Sequence, residues 1–271
     1  MTPAHDGVVR LAGARLRYSR HAGDGSAPAG RPPVLLLHPW FGCRQMWEPL
    51  ADRLDVPSYA VDWYSLAEGG APHEWSAWAS PAGLARAALA LLDEEGLDRV
   101  DVVGNSVGGI VAQLIAADAA QRVRRLVLIG TGASLDGPPT PFGLLVSRWL
   151  EQPAWRPSLT GRLVDALVTR PPAAADRARW VGEVLGAEPG FVAAVLTAAR
   201  ASDLRPRLAS ITAPTLVLRG EHDTARTAAH VRELVAGIAG AEAVELAGCG
   251  HSPMVEDPDL VAALVREHLG D

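Results

Sequence analysis

Lysine is missing from the 271-residue chain: all 25 basic residues are arginine. A Walker-type phosphate loop needs a lysine to reach the phosphates, so that nucleotide site is excluded. Schiff-base chemistry on a lysine, including that of pyridoxal-phosphate enzymes, falls with it. Cysteine is nearly absent, with only Cys43 and Cys249. No Cys-x-x-Cys and no His-Glu-x-x-His occurs, so no metal site and no cofactor are expected. The two thiols read as reduced, with a disulfide as the alternative because both lie beside loops assigned below to one site. The formal charge of −6 offers no basic patch or stripe for nucleic acid. No apolar run approaches the ~18 residues of a membrane span, and Met1 to Gly7 lacks the basic-then-apolar pattern of a leader. The expectation is a cytoplasmic protein with a small-molecule partner, no nucleic acid and no membrane; the oligomeric state stays open. What is present is a globular composition, 48% hydrophobic and 21% charged, enough apolar material for a large core.

Val8 to Tyr18 reads as an opening hairpin or bent strand around Gly13. Val34–Leu37 is a short apolar run, as in a strand covered on both faces. A helix is expected from about Arg44 to Leu54, and a strand at Tyr59–Asp62. Ser80-Pro81 supplies an N-cap and a first-turn proline, and Gly96 ends that helix. Strands at Val100–Val103 and Leu126–Ile129 flank a helix from Ser106 to about Ala119. This alternation implies a parallel sheet with crossover helices. From about Ala133 to Leu208 it stops, and four helical patches follow one another. Alternation resumes with a strand at Thr215–Leu218, a helix near Ala228–Ile238, a strand at Ala243–Leu246 and a last helix capped by Asp257-Pro258.

Gly104-Asn105-Ser106-Val107-Gly108-Gly109 falls directly between a strand and a helix. In that setting Gly-x-Ser-x-Gly reads as a nucleophile turn. The turn is so sharp that the residues two before and two after the serine must be small. It lifts the Ser106 hydroxyl above the sheet edge and sets the Val107 N–H at a helix N-terminus, where an oxyanion is favoured. The bland alternative is a glycine-rich turn with a serine N-cap.

A serine hydroxyl needs a base, and the base needs a carboxylate to orient it. Asp223 follows the strand Thr215–Leu218, and His251 follows the strand Ala243–Leu246. Both therefore lie at the sheet edge that carries Ser106, where ligand sites are expected. Glu221 and Asp136 are rival acids, while Glu256 and Asp257 read as caps of the last helix. His5 and His21 read as surface residues, His222 as pointing away, and His230 and His268 as exposed or satisfied on helices. In His38-Pro39-Trp40-Phe41-Gly42, Pro39 has no N–H, which makes Trp40 the second oxyanion donor. His38 is expected to hold that loop by hydrogen bonding. Phe41, Phe142, Leu145, Trp149 and Trp155 are candidate substrate contacts in a largely apolar pocket, with Leu144 beside them.

These motifs together resemble the α/β-hydrolase superfamily over nearly the whole chain. The matching segments are His38-Pro39-Trp40, Gly104–Gly109, Gly220-Glu221-His222-Asp223 and Gly248–Pro253. The resemblance implies an α/β fold with a mostly parallel eight-stranded sheet flanked by helices and a helical cap inserted after the sixth strand. It divides the chain into a core (1–132 and 209–271) and a cap (133–208), with a Ser106–His251–Asp223 triad and no cofactor. Two departures stand out: Pro39 where the family usually has glycine, and the bulky Trp63-Tyr64-Ser65-Leu66 after Asp62. The implied activity is hydrolysis of an ester, lactone or similar activated carbonyl of a moderately hydrophobic small molecule. Carbon–carbon bond hydrolysis, to which the Gly-Asn-Ser-x-Gly-Gly turn is similar, acyl transfer and a cofactor-free lyase-type reaction are alternatives on the same scaffold. A non-catalytic ligand-binding protein is the remaining one.

Overall fold

Strands β1 (His5–Leu11) and β2 (Ala14–His21) form the opening hairpin, paired antiparallel around Gly13. The computed structural model describes residues 5–23, 25–26, 30–134 and 140–270. Strands β3 (Val34–Leu37), β4 (Ser58–Asp62), β5 (Val100–Asn105), β6 (Val123–Ile129), β7 (Thr215–Gly220) and β8 (Glu242–Leu246) complete one eight-stranded sheet, ordered β1-β2-β4-β3-β5-β6-β7-β8. All pairings from β4 to β8 are parallel, and the first two are antiparallel. β3 and β5 are buried at every position, which explains their lack of alternation. β8, at the far edge, exposes Glu242 and Glu245, charges that suit an unpaired edge.

Helices fill the crossovers. α1 (Glu48–Ala51) is a single turn preceded by a 3₁₀ turn, shorter than the helix expected from Arg44 to Leu54. α2 (Pro72–Trp75) is also one turn. α3 (Pro81–Glu94) begins where the Ser80 hydroxyl accepts from the Gly83 N–H. α4 (Val107–Asp118) is apolar on all sides and buried along its first ten residues, so it runs through the core.

After β6 the chain leaves the sheet for α5 (Pro141–Glu151), α6 (Arg156–Asp165), α7 (Ala174–Gly186) and α8 (Pro189–Arg200). The Leu204 N–H closes the neck of this insertion on the Ala133 carbonyl at 2.8 Å, beside a bridge between Ser134 and Asp203. The insertion is fastened to the sheet side by Phe191 against Trp75, by Arg179 with Glu48, and by Gln45 with Glu183. α9 (Ala228–Gly237), α10 (Pro253–Glu256) and α11 (Pro258–Gly270) finish the chain. No single helix among the described residues is long and apolar enough to cross a membrane.

Candidate active site

Ser106 lies between β5 and α4 with φ 56° and ψ −117°, a backbone conformation that a side chain normally avoids. The surrounding glycines explain how it persists. A Cβ on Gly104 would overlap the Gly108 carbonyl, and one on Gly108 would overlap the Leu37 carbonyl. The turn is also tied by hydrogen bonds. The Ser106 N–H donates to the Ile129 carbonyl at 3.0 Å, and the Thr131 hydroxyl donates to the Ser106 carbonyl at 2.8 Å.

Asp223 and His251 are brought together from the ends of β7 and β8. His251 Nδ1 lies 2.9 Å from Asp223 Oδ2, and both side chains are essentially inaccessible to solvent. The other oxygen, Oδ1, accepts the N–H groups of Ala225 and Arg226 at 2.8 and 2.9 Å. Burial by itself pushes the Asp223 carboxyl up. The His251 charge and hydrogen bond, with those two backbone donors, outweigh it and hold the acid below its usual range. A carboxylate facing Nδ1 keeps the proton on that nitrogen, which leaves Nε2 as the basic atom. Nε2 is buried and makes no hydrogen bond among the described residues. Catalytic contacts of this kind are often long until a substrate is bound.

Asn105 joins the two halves of the site. Its amide donates to the carbonyls of Ile129 and His251 at 2.9 and 3.0 Å, and its oxygen accepts from the Ser252 hydroxyl at 2.9 Å. The residue before the serine thus holds the histidine loop against the serine turn, a role its place in the motif did not reveal. Glu256 is a second surprise. It does not cap the last helix, which starts from Asp257. Instead, its carboxylate accepts from the Gly250 N–H at 2.6 Å and from Thr169 and Arg170 N–H groups at 2.6 and 3.1 Å. Glu221 accepts from the Gly248 N–H at 2.9 Å on the exposed side and does not approach His251. Asp136, the other rival acid, lies outside the described residues.

The loop after β3 folds into a turn in which the Gly42 N–H donates to the Pro39 carbonyl at 3.1 Å, with Phe41 at φ 62°. Pro39 supplies the accepting carbonyl at the first position of the turn, and the positive φ falls at the third, where a type II turn requires it. His38 is fully buried. Its Nδ1 donates to the Pro39 carbonyl at 2.8 Å, and its Nε2 accepts from the Trp63 N–H at 3.3 Å. Burial pushes the imidazole down to about 4, so it stays neutral and acts as a brace for the loop. The bulky segment after Asp62 packs under this same loop: the Tyr64 ring lies 5.4 Å from both His38 and Trp40. The backbone N–H groups of Trp40 and Val107 have no protein acceptor among the described residues.

A cavity of about 630 Å³ opens over Ser106, with Trp40, Phe41 and Val107 in its wall. Of the expected substrate contacts, Phe41 and Phe142 line it, as does Leu144. Leu145, Trp149 and Trp155 do not. Leu145 packs against the core. Trp149 is buried edge-on against Phe41 and donates to the Thr160 hydroxyl. Trp155 is 56% exposed on the outside of the insertion. The cavity also has a polar wall that the sequence reading missed, formed by Arg200, Arg205, Arg226, His230 and Glu233. His230, expected to be exposed or satisfied, caps α9 through Nδ1 at Thr227 and also faces the cavity. His21, expected at the surface, is buried. Cys43 and Cys249 are buried and unpaired.

A model of the alpha/beta hydrolase family matches residues 34–264. The chain is 28% identical over 257 residues to a pimeloyl-[acyl-carrier protein] methyl ester esterase of Aromatoleum aromaticum, covering 88% of this chain and 98% of the relative. It is 32% identical over 205 residues to a 2-hydroxy-6-oxononadienedioate/2-hydroxy-6-oxononatrienedioate hydrolase of Paraburkholderia xenovorans, covering 68% and 67%. The enol-lactonase structure from Burkholderia xenovorans LB400 superimposes with a TM-score of 0.79 at 25% identity, over 98% of this chain and all of that one (100%). Strand order, the strained serine turn and a match across most of its length agree: the chain belongs to the alpha/beta hydrolase family.

Proposed function

We propose that this hydrolase cleaves an ester or lactone of a small molecule through an acyl-enzyme on Ser106. The observation that carries the proposal is the buried 2.9 Å pair between His251 and Asp223, which leaves Nε2 uncommitted in a loop that Asn105 ties to the serine turn. His251 Nε2 takes the proton as Ser106 Oγ bonds to the substrate carbonyl carbon. The resulting oxyanion is met by the N–H groups of Trp40 and Val107, each worth roughly 3 kcal/mol in the transition state. Collapse breaks the carbon–oxygen bond, and His251 returns the proton to the leaving alkoxide. Water then repeats the sequence on the acyl-enzyme and frees the serine.

Helices α5 to α8 act in this reading as a cap that sets specificity. A cavity of about 630 Å³ with Phe41, Phe142 and Leu144 in its wall suits a substrate of moderate size and mixed polarity. A reduced, cytoplasmic setting belongs to the same proposal and is supported by the two unpaired cysteines.

Labelling by a fluorophosphonate probe, with turnover of a panel of acyl esters and lactones, tests this reading. Labelling confined to Ser106 and turnover lost in Ser106→Ala are expected; an unlabelled, active enzyme would overturn it. The relative from Paraburkholderia xenovorans favours carbon–carbon bond hydrolysis as the second reading. Products from a vinylogous 1,5-diketone, compared with those from an ester of similar size, separate the two.

A further inference from the structure

Arg226 follows the acid Asp223 by three residues and lines the cavity above Ser106. Its backbone N–H serves Asp223, but its side chain does not. The guanidinium donates one internal hydrogen bond, from Nη1 to the Ala225 carbonyl at 2.6 Å. Nε is buried with no partner, and no carboxylate among the described residues forms an ion pair with it. Burial disfavours its charge, and the Asp223 carboxylate, which makes no hydrogen bond to the guanidinium, favours that charge without making up the difference. Arginine nonetheless stays protonated in proteins, so the wall of the cavity holds a half-buried cation whose Nε is shut off from solvent.

Such a group is costly. Taking an ion even partly out of water without a hydrogen-bonded partner is unfavourable, and a structural arginine would recover this through further internal bonds. The nearby carboxylates give only partial relief: Asp223 acts without a direct bond and is committed to His251 and two backbone N–H groups, and Glu233 faces Arg205, which is itself bonded to Asp203 at 2.7 Å. At the exposed end of the same wall, Arg200 donates to the Ser147 hydroxyl at 3.1 Å and adds a second positive charge. His230 adds none, since burial and the Arg226 charge push its imidazole down.

We propose that Arg226 is a specificity residue that pairs with a carboxylate on the substrate whose carbonyl Ser106 attacks. This rests on the ester or lactone reading and narrows it to anionic substrates. The planar fork of the guanidinium matches a carboxylate through two parallel bonds. One half-buried cation balances one negative charge, which favours a monoanionic carboxylate over a phosphate dianion. Arg200, nearer solvent, draws the same charge toward the opening.

Two chromogenic esters of equal acyl length test the proposal: mono-p-nitrophenyl adipate, which carries a free carboxylate, and neutral p-nitrophenyl hexanoate. In the unaltered enzyme, kcat/KM for the adipate is expected to exceed that for the hexanoate at least tenfold. Arg226→Met is expected to lower this ratio at least tenfold, and Arg226→Lys, which keeps the charge but not the fork, by a smaller factor. The melting temperature of Arg226→Met should rise by a few degrees, because a half-buried charge is replaced by an apolar side chain of similar length; a structural arginine would give a fall. A wild-type enzyme without preference for the adipate, or a ratio unaltered in both variants, overturns the proposal. Calorimetric binding of adipate to Ser106→Ala, with and without Arg226→Met, keeps the test separate from the nucleophile. Adipate binding weakened at least tenfold by the second substitution supports the subsite even if Ser106 proves dispensable, and equal binding overturns it.

Discussion

Among the described residues, two without glycine's freedom hold a positive φ, Ser106 at 56° and Phe41 at 62°, and they are held in opposite ways. Ser106 is fixed by what its neighbours lack. Gly104, Gly108 and the carbonyls against them leave no space for another path of the chain. Phe41 is fixed by what it carries: a fully buried ring, edge-on to Trp149 of the insertion at 5.4 Å. The serine turn is thus a property of the sheet, and the loop after β3 depends on the insertion that covers it. Strain of ~1–3 kcal/mol persists only where the surroundings over-determine it, and both solutions meet that requirement.

The largest effect expected from testing this contrast is on turnover. Ser106→Ala should lower kcat by ~10⁴-fold or more in a steady-state assay while the circular dichroism spectrum stays the same. Gly108→Ala forces a Cβ into the Leu37 carbonyl, and it should cost about 3 kcal/mol in urea unfolding along with most of the activity. The loop beside Phe41 has its own signature in pH. His38 is held down to about 4 from 6.5, so its neutral form stabilises the fold above pH 6.5, and that contribution of about 3 kcal/mol is lost as pH falls through 4. Urea midpoints at pH 7, 5 and 4 should therefore decline more steeply for the unaltered protein than for His38→Gln. A finer comparison is Phe41→Gly against Phe41→Ala. Both lose the ring, at roughly 3–5 kcal/mol, but glycine also releases the strained φ and should be the more stable of the two by about 1 kcal/mol. The smallest effect is expected at Trp155, 56% exposed and outside the cavity. Trp155→Ala should move stability by less than ~0.5 kcal/mol and leave ester turnover alone.

Much of this arrangement was legible before any coordinates. Parallel strands announce themselves as apolar runs, and residues just after them must gather at one sheet edge, which is why order alone brings Asp223 and His251 together, 2.9 Å apart in the structure. The glycines of the serine turn were legible for a steric reason, since only their small size lets the chain turn there. The insertion was harder. Helical periodicity tells which residues share a face but not what that face meets. Trp149 therefore looked like a pocket residue and instead wedges Phe41, while Trp155 faces solvent. Arg226 drew no reading and His230 reads as exposed or satisfied, because the segment leading into α9 looks like an ordinary surface helix start and nothing local says that it borders a cavity. Asn105 and Glu256 each reach a residue more than 80 positions away, a contact that no local pattern encodes.

Glu256 carries a consequence for anyone exchanging the insertion among relatives. A graft cut at the neck, between Ala133 and Leu204, respects the chain's connectivity but ignores this carboxylate, which clasps the Thr169 and Arg170 amides with one oxygen and the Gly250 amide with the other. It works as a hinge pin between two parts of the chain that otherwise look exchangeable. A donor insertion lacking two exposed amides at that point would leave the pin gripping only the histidine loop. The chimaera would then inherit a new pocket together with a looser His251 loop.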